Sequence, residues 1–397
     1  MISKLQLQDL DLKGKKVLVR VDFNVPLTKE GSIADDARIK ESLPTIQYIL
    51  KSGGSAILMS HLGRPKGAPD PHFSLAPCAK ALSKLLGIPV QIAPDCIGQK
   101  VEKMAQDLQP GQVLLLENVR FYPAEENPSL DPTFAKKLAS LGDIYVNDAF
   151  ATAHRIHSST AVIAQYFPGK SAAGFLMLKE VNFLSSLLNP KHPFYIIIGG
   201  AKISSKIGVL KSLLSKADGI FIGGGMAFTF FLAQGIKIGN SIHEDDQIPV
   251  AAQFLKECSE KNIPCWLPKD VIIANDFSDE AQSKCILASQ GIPEGWQGMD
   301  IGPQTIEKWS SSLKDAATVF WNGPLGVSEF SHFATGTEKI AKALSSLKAM
   351  TVVGGGDSVA AIHHLNLASP FSHLSTGGGA SLEFIEHGHL PGIDALK

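Results

Sequence analysis

Short, continuous apolar runs recur along the whole chain, and stretches of helical length separate them. The runs cover residues 17–23, 56–60, 90–92, 113–116 and 144–146 in the first half, and 194–198, 220–222, 271–274, 318–321 and 351–353 in the second. Runs of Val, Ile and Leu without polar alternation are typical of strands buried on both faces of a parallel sheet. The intervening stretches that have an amphipathic helical pattern include residues 76–86, 132–141, 203–215, 247–261 and 338–346. The alternation predicts an α/β fold with doubly wound, Rossmann-like parallel sheets.

Chain length and one long helical pattern predict two such domains. The chain has 397 residues, which is more than twice the usual domain size of ~150 residues. Residues 174–188 have a continuous helical pattern, which Asn189 and Pro190 end. We therefore predict a first domain in residues 1–170, an interdomain helix in residues 171–189 that forms part of a hinge, and a second domain that begins at residue 190.

The bulk composition gives no basis for several classes of partner. The net charge is −1, which does not favour nucleic acid or an anionic membrane surface. The first five residues lack the apolar core of a signal peptide, and the longest apolar runs are too short to span a bilayer. The five cysteines are scattered without a Cys-x-x-Cys pair, which indicates reduced thiols and predicts a cytoplasmic protein.

Arginine and glycine are distributed unequally between the two halves. All five arginines lie within the first 155 residues, whereas the three Gly-Gly-Gly triplets begin at residues 223, 354 and 377. Arginine is suited to bidentate capture of carboxylate or phosphate, and glycine triplets allow the backbone to contact a nucleotide. The distribution predicts an anion-binding first half and a nucleotide-binding second half.

Polar side chains follow four apolar runs of the first half. They are Asp22 and Asn24, then His61 and Arg64, then Asn118 and Arg120, and finally Asn147 and Asp148. Ligands of open α/β sheets bind beyond the carboxyl ends of the strands, so these positions are expected to converge on one cleft.

Each of these residues also has a structural interpretation. Arg20 alternates within a strand and is more typical of a structural ion-pair partner. Arg38 follows two aspartates and could pair with them at a helix start. Asp22 and Asn24 could cap a turn. Arg155 lies between two histidines, but the segment lacks the ligand spacing of a zinc site. The joint pattern of four strand ends favours the functional interpretation.

Glycine-rich turns follow four strands of the second half. The residues concerned are Gly199, Gly200, Ala201, Lys202 and Lys206; Gly223, Gly224 and Gly225; Asn322, Pro324 and Glu329; and Gly354, Gly355, Gly356, Asp357 and Ser358. The spacing is not that of a Walker A loop, but it predicts Lys202 and Lys206 on one helix face, four residues apart. Glu329 is suited to ribose hydroxyls, and Asp357 is a candidate Mg²⁺ ligand beside phosphates.

The last glycine triplet, Gly377, Gly378 and Gly379, precedes the sequence ASLEF. This sequence is typical of the first turn of a helix, and Glu383 lies near its positive end. A glycine turn at a helix N-terminus offers free N–H groups to an anion. The segment is either a plain helix entry or a phosphate-binding turn.

Taken together, these motifs resemble the phosphoglycerate kinase family. The matching sequences are VLVRVDFNVPL at 17–27, SHLGRPKG at 60–67, LENVRF at 116–121, VNDAF at 146–150, AHRIHSS at 153–159, GGAK at 199–202, WNGP at 321–324, GGGD at 354–357 and STGGGASLE at 375–383. They occur in the family's order over essentially the whole chain. The resemblance implies a two-lobed, hinge-bending, monomeric enzyme of glycolysis and gluconeogenesis that transfers a phosphoryl group from 1,3-bisphosphoglycerate to MgADP, giving 3-phosphoglycerate and MgATP.

The resemblance also implies roles for individual residues. The phosphoglycerate is expected at Asp22, Asn24, Arg38, His61, Arg64, Arg120 and Arg155, and the nucleotide at the glycine-rich positions of the second half, with Mg²⁺ on Asp357. Arg38, Lys202 and the glycines 377–379 are expected to hold the moving phosphoryl group. Residues 380–397 are expected to pack on the first domain, so that the second domain ends at residue 379.

Two alternative functions remain open at this point. Another carboxylate or acyl-phosphate kinase would not require the group of basic residues in the first half. A non-catalytic nucleotide-binding protein of the same fold would not require Arg38, Lys202 and Asp357 together.

Overall fold

The computed structural model describes residues 5–397 and divides the chain into two compact units. The first unit is the chain up to Asn182 together with His389–Lys397, and the second is Phe183–Gly388. Residues 1–4, which belong to the predicted first domain and to the N-terminal stretch without a signal core, lie outside the described residues. None of the helices in residues 5–397 combines the length and the apolar character that crossing a bilayer requires.

The first unit contains a six-stranded parallel sheet. Its strands are β1 (Lys16–Arg20), β2 (Ser55–Met59), β3 (Val90–Ile92), β4 (Val113–Leu115), β5 (Ile144–Asn147) and β6 (Ser171–Ala173), in the spatial order β3-β4-β2-β1-β5-β6. Strands β1, β2, β4 and β5 are buried throughout or nearly so, as their continuous apolar sequences predict. The central strand β1 pairs with β2 and β5, so the polar residues that follow β1 and β2 emerge at the same edge.

Helices connect these parallel strands. They are α1 (Ala37–Lys51), α2 (Ala76–Leu86), α3 (Gln99–Asp107) and α4 (Phe134–Ala139), whereas α5 (Phe175–Leu188) follows the last strand, β6, and leads to the second unit. Apolar side chains of α1 and α2, including Ile46 and Leu82, pack with strand residues such as Val19 in one buried core. The predicted helix at 76–86 has the observed bounds of α2.

The second unit contains another six-stranded parallel sheet. Its strands are β7 (Phe194–Ile198), β8 (Gly219–Ile222), β9 (Cys265–Trp266), β13 (Thr318–Asn322), β14 (Met350–Gly354) and β15 (His373–Leu374), in the order β15-β14-β13-β7-β8-β9. A separate sheet contains β10 (Asp270–Ala274), β11 (Ser283–Leu287) and β12 (Gln297–Ile301). The helices are α6 (Ile207–Leu214), α7 (Met226–Ala233), α8 (Ile248–Glu260), α9 (Pro303–Ser312), α10 (Thr335–Ser345), α11 (Gly356–His364) and α12 (Gly379–His387).

The predicted fold class of two parallel-sheet α/β domains is confirmed, with one correction. The apolar run at 271–274 forms β10, which pairs antiparallel with β11 and β12 instead of joining the parallel sheet. Residues of β10 are mostly buried, whereas β11 is largely exposed. A buried strand at the centre of a small sheet has the same apolar sequence as one in a parallel sheet, so the run could not reveal its partners.

The unit boundaries differ from the predicted ones at both ends of the second unit. The division falls within α5, between Asn182 and Phe183, and not at residues 170 and 190. The helix α12 belongs to the second unit because it packs against α6, where Ser212 Oγ donates to the carbonyl of Ile385. Only His389–Lys397, with α13 (Pro391–Asp394), belongs to the first unit, where Asn147 donates to the carbonyl of Gly392.

Candidate functional site

Three loops of the first unit meet beyond the ends of β1, β2 and β4. Asn24, which follows β1, accepts a hydrogen bond from the backbone N–H of Gly63 at 2.8 Å. Arg120, which follows β4, donates from Nη1 to the carbonyl of Gly63 at 2.9 Å. His61 is buried in the same loop as Gly63. The structure therefore brings together residues that are nearly a hundred positions apart in sequence, as the strand-end pattern predicts.

Arg38 reaches this region from the second position of α1. Its Nη1 atom forms an ion pair with the carboxylate of Asp22, which is buried. The Arg38 side chain itself is one-third exposed, so part of the guanidinium can still contact a ligand. The predicted alternative partners, Asp35 and Asp36, make other contacts: Asp36 pairs with Lys40, and Asp35 accepts from the N–H of Ala37.

A cation cluster lies around His61 and its neighbours; it contains Arg20, Arg38 and Arg120, which act on His61, Arg155, which acts on His157, and Arg64, which acts on Arg120. Burial lowers the pKa of His61 well below its usual range, and the charges of Arg20, Arg120 and Arg38 lower it further. Burial also lowers the pKa of His157 to about 3, and Arg20, Arg120 and Arg155 add to this shift. Both imidazoles are therefore neutral at pH 7, and the positive charge of the cluster is carried by arginine.

The remaining two predicted arginines lie at the exposed side of the cluster. Arg64 is exposed, and its charge acts on Arg120. Arg155 is exposed and donates from Nε to Nε2 of His154 at 3.0 Å. The Nε atom of Arg120 is buried and has no hydrogen-bond partner in residues 5–397. Exposed guanidiniums around an unsatisfied buried donor are the arrangement expected of a site for a phosphate or carboxylate.

Arg20 has the structural role that its position within a strand predicts. It is almost fully buried and lies 4.0 Å from the carboxylate of Glu125, which is also buried. Burial raises the pKa of Glu125, and Arg20 opposes that shift. Sequence reasoning missed Glu125 because it lies in a loop and not at a strand end; nothing in its sequence neighbourhood distinguishes it from a surface glutamate.

The second unit contains a cavity of about 390 Å³ beyond the ends of β7, β8 and β13. Seven of the residues predicted to bind a nucleotide line it: Gly200, Ala201, Gly224, Gly225, Pro324, Glu329 and Asp357. Its other walls include the apolar side chains of Phe228, Ile242, Phe277, Val327 and Met299. An apolar cleft with a few polar groups is suited to a flat aromatic base. The sequence pattern identified the glycine-rich turns but not these apolar walls, which are spread over five separate segments.

The glycine turns pack against one another through their backbones. The N–H of Gly200 donates to the carbonyl of Pro324 at 2.8 Å, and the N–H of Gly224 donates to that of Leu325 at 3.2 Å. Gly224 has φ +63°, and a Cβ there would lie 2.5 Å from the backbone nitrogen of Gly200. A side chain is excluded at this position because only glycine adopts this backbone conformation readily and leaves the space free.

Lys202 and Lys206 do not share a helix face, which corrects the prediction. The turn after Gly200 continues to Lys206, whose N–H donates to the carbonyl of Ile203 at 2.9 Å, and α6 begins only at Ile207. Lys202 is exposed in this turn. Lys206 is half-buried, and its ammonium group binds Oδ1 of Asn322. Burial lowers the pKa of Lys206 to about 8, and Asp357 opposes the shift.

Other predicted residues contact these turns on their buried side. Ser358 Oγ accepts from the N–H of Gly323 at 2.9 Å and is fully buried. A Cβ at Gly354 would lie 2.9 Å from Nδ2 of Asn322, and one at Gly223 would lie 2.7 Å from the side chain of Leu325. Nδ2 of Asn322 is buried and finds no acceptor in the described part of the chain. By contrast, the atom nearest to a Cβ at Gly355 would be Nδ2 of Asn322, at 3.4 Å. A Cβ at Gly356 would meet nothing within 4 Å.

The last glycine triplet begins α12 as predicted. Gly378 is the residue before the helix and has φ +55°, a conformation that favours glycine. The N–H of Gly377 donates to Ser375 Oγ at 3.2 Å, while added Cβ atoms at Gly378 and Gly379 would meet nothing within 4 Å. The space in front of this helix start is therefore open within the second unit.

The donor set around Asp357 fits a magnesium ion carried by a nucleotide. Among residues 5–397, no three His, Cys, Asp or Glu side chains come together as a ready-made metal site. Asp357 lines the cavity and lies close enough to Lys206 to affect its pKa. Mg²⁺ is usually held by one or two carboxylates, water and substrate phosphates, so a single aspartate is sufficient on the protein side.

Comparison with known proteins assigns the chain to a family. A model described as phosphoglycerate kinase matches residues 7–388. The chain is 52% identical over 399 residues to a phosphoglycerate kinase of Fervidobacterium nodosum, covering 100% of this chain and 98% of the relative. It is 52% identical to a cytosolic phosphoglycerate kinase of Triticum aestivum, covering 98% and 97%. The solved structure of phosphoglycerate kinase from Coxiella burnetii superposes with a TM-score of 0.88 at 40% identity, covering 99% and 98%. The chain belongs to the phosphoglycerate kinase family.

Proposed function

We propose that the chain catalyses reversible phosphoryl transfer between 1,3-bisphosphoglycerate and MgADP, which yields 3-phosphoglycerate and MgATP. The observation that carries this proposal is the cation cluster of the first unit. Arg20, Arg38 and Arg120 already pair with Glu125, Asp22 and Glu126. The exposed Arg64 and Arg155 lie beside them, and a simple carboxylate substrate such as acetate has too little negative charge to neutralise both. A substrate with a carboxylate and a separate phosphate can use the exposed guanidiniums and the partly exposed Arg38 together.

The phosphoglycerate binds to the first unit. The phosphate that is not transferred is held by the exposed arginines of the cluster and by the more buried groups beside them. These residues are Arg64, Arg155, His61 and Arg120. Asp22 and Asn24 orient the glycerate, with Asn24 fixed in place by its hydrogen bond to Gly63. Arg38 neutralises the phosphoryl group as it moves.

The nucleotide binds to the second unit, with its base in the apolar cavity and its ribose on Glu329. Its phosphates extend toward Lys202, Lys206 and the N–H groups at Gly377, Gly378 and Gly379. The site also includes the Gly223–225 and Gly354–356 turns, Asn322, Pro324, Ala201 and Ser358. Asp357 holds Mg²⁺, which supplies positive charge to the nucleotide phosphates.

The chemistry requires no general base from the protein. The carboxylate of 3-phosphoglycerate is already ionised and acts as the nucleophile toward ATP. Phosphoryl transfer depends mainly on alignment and on neutralising the charge of the transferred group. Burial and the neighbouring arginines hold the pKa of His61 well below its usual range, so its imidazole is a weak base, and its N–H remains available as a hydrogen-bond donor.

The cellular setting is part of the same proposal. We place the enzyme in glycolysis and gluconeogenesis in the cytoplasm, acting as a monomer on its small-molecule substrates without nucleic acid or membrane partners. The cytosolic assignment of the Triticum aestivum relative supports the location. Size-exclusion chromatography with light scattering gives the oligomeric state, and a mass of about 42.4 kDa is expected.

A coupled assay tests the reaction itself. With MgATP and 3-phosphoglycerate, the purified protein is expected to form 1,3-bisphosphoglycerate, which a coupled dehydrogenase reduces with loss of NADH absorbance. ADP formation, coupled through pyruvate kinase and lactate dehydrogenase to loss of NADH, measures turnover for all three substrates in parallel, and acetate and aspartate at the same concentration are expected to give none. Turnover with either of them but not with 3-phosphoglycerate would assign the chain to a different carboxylate kinase. No turnover with any of the three substrates would indicate a non-catalytic nucleotide-binding protein.

The affinity for ADP is expected to fall as pH rises through about 8. Lys206 has its pKa lowered to about 8, so its charge is present below that pH and is lost above it. If the neutral form binds poorly, affinity at pH 9 should be roughly tenfold weaker than at pH 7, following the charged fraction. Isothermal titration calorimetry with MgADP across this range measures the effect.

Two variants make the pH test specific. Lys206→Arg stays charged throughout the range and should remove the fall in affinity. Lys211→Gln changes an exposed lysine of α6 and should leave the fall unchanged. An identical pH profile for wild type and Lys206→Arg would exclude Lys206 as the titrating group.

A further inference from the structure

A chain of buried hydrogen bonds leads from Glu125 to His61. The carboxylate of Glu125 accepts from Ser159 twice, from the backbone N–H at 3.0 Å and from Oγ at 2.6 Å. Ser159 Oγ accepts in turn from Nε of Arg20 at 2.7 Å. Nη2 of Arg20 lies 3.2 Å from Nδ1 of His61. All four residues are buried, and Glu125 and Ser159 contribute nothing to the surface that a substrate could touch.

The direction of donation in this chain follows from the groups themselves. A guanidinium has donors and no acceptor, so every hydrogen bond of Arg20 must run outward from it. Ser159 therefore accepts from Arg20 and directs its own proton to the carboxylate of Glu125. Nη1 of Arg20 also donates a hydrogen bond, at 2.5 Å, to the carbonyl of Val21, so a second nitrogen of the guanidinium is held in place. Because the guanidinium is planar and rigid, anchoring Nε and Nη1 also sets the position of Nη2.

This direction determines which nitrogen of His61 carries the proton. Nδ1 faces an obligate donor and must be the acceptor. A neutral imidazole with an accepting Nδ1 has its proton on Nε2. Nε2 has no hydrogen-bond partner within residues 5–397. The charged and titratable groups that act most strongly on His61 are Arg20, Arg120, Arg38 and His157, and all of them disfavour the imidazolium.

We propose that Glu125 and Ser159 are positioning residues for substrate binding, which act by fixing Arg20 so that His61 presents an Nε2–H donor to the anionic substrate. The inference depends on the proposed function, in which His61 contacts the phosphate that is not transferred. An imidazole with the opposite tautomer would place a lone pair toward that phosphate and repel it. The buried chain removes this alternative before the substrate binds, so no binding free energy is used to select the tautomer.

Nitrogen-15 NMR of the free protein tests the inference without any substrate. The two ring nitrogens of His61, assigned by comparison with His61→Gln, should show a protonated Nε2 and an unprotonated Nδ1 across pH 6–8. Ser159→Ala should produce a mixture of the two tautomers, because Arg20 loses the anchor at Nε. Ser159→Thr, which keeps the hydroxyl, should restore the single tautomer.

A matched control is the neighbouring Ser158, whose Oγ donates to the carbonyl of Ala124 at 2.7 Å and which is equally buried. Ser158→Ala should cost similar stability but leave the tautomer of His61 unchanged. If wild type already shows a mixture, or if Ser158→Ala and Ser159→Ala change the tautomer equally, the inference is wrong. Glu125→Gln tests the other end of the same hydrogen-bond chain, since it keeps the shape of the carboxylate and removes its charge.

Kinetics then separate this role from a purely structural one. Ser159→Ala should raise KM for 3-phosphoglycerate by about tenfold, the effect of weakening one hydrogen bond to a charged group, while KM for MgATP stays unchanged. A variant that is only less stable would lower kcat and leave both KM values unchanged, and this result would contradict the inference. A different result would separate the two claims. If His61→Gln binds 3-phosphoglycerate as tightly as wild type while the tautomer results are as expected, His61 does not contact the substrate, although the buried hydrogen bonds still set its tautomer.

Discussion

Replacing Arg38 with alanine is expected to lower kcat for 3-phosphoglycerate and MgATP by ~10²-fold or more, with a smaller change in KM. Arg38 is only one-third exposed and its charge is positioned in advance by the ion pair with Asp22. A pre-positioned charge that acts on the transferred group stabilises the transition state more than the ground state. A loss of 10² in kcat corresponds to about 2.7 kcal/mol of transition-state stabilisation. Steady-state kinetics of both substrates measure the effect.

The same substitution also removes the partner of a buried carboxylate, and that effect must be separated. Asp22 is buried, so Arg38→Ala should lower stability by roughly 1–3 kcal/mol. Arg38→Lys keeps the charge but not the fork and should lose an intermediate fraction of kcat. Lys40→Ala is the matched control, since it removes an exposed cation and its pair with Asp36 from the same helix. A folded Arg38→Ala protein with wild-type kcat would rule out the assignment.

The parallel sheets could be predicted because a strand buried on both faces needs an uninterrupted apolar sequence. The predicted run at 194–198 coincides with β7, which is buried throughout. The run at 90–92 also coincides with a strand, but β3 is a largely exposed edge strand that contains Gln91, so this reason does not apply to it. The missed strands lack such a sequence: β6 is Ser-Ala-Ala, β9 and β15 have two residues each, β11 is mostly exposed, and β12 contains Gln, Gly and Asp. Their pairing comes from tertiary contacts, which local sequence does not encode.

In the first unit, the sequence predicts the residues at the strand ends better than the buried residues that hold them in place. Strand-end polar residues are informative because sheet topology brings all strand ends to one edge. The carboxylate of Glu125, by contrast, is identified only by its burial and by its contacts with Ser159 and Arg20. In the second unit, the spacing of Lys202 and Lys206 predicts both on one helix face, because residues four apart are neighbours on a helix. The helix starts later, since the turn after Gly200 occupies the intervening residues.

The sequence predicts that α12 packs on the first domain, whereas the helix belongs to the second unit. Its sequence indicates a helix, and α12 is one, but the helix sequence does not specify which surface it covers. At the contact with α6, a Cβ added at Gly208 would meet the carboxylate of Glu386, so the Glu386 side chain occupies space that the glycine leaves free. Such complementarity between two surfaces becomes visible only in three dimensions.

Replacing Gly199 with alanine is expected to disrupt the nucleotide site and to destabilise the second unit. A Cβ at Gly199 would overlap the carbonyl oxygen of Pro324 and lie 2.8 Å from that of Gly323. Both neighbours are backbone atoms that cannot rotate away, and the N–H of Gly199 is already bonded to the carbonyl of Asn322 at 2.9 Å. We expect a stability loss of roughly 2–3 kcal/mol, measured by urea unfolding, from forcing these turns apart. Pro324 lines the nucleotide cavity, so MgADP affinity should also fall, by about tenfold or more.

Gly356→Ala provides the matched comparison for stability, because it makes the same chemical change in a nearby turn. A Cβ at Gly356 would meet nothing within 4 Å, and the residue is the first of α11, where its φ is not left-handed. Alanine should therefore leave stability unchanged or raise it by up to about 0.5–1 kcal/mol through its higher helix propensity. A loss of stability for Gly199→Ala without a loss for Gly356→Ala is expected if backbone contact between turns, and not glycine flexibility in general, determines the shape of the nucleotide cavity. Equal destabilisation by both would mean that flexibility is the requirement.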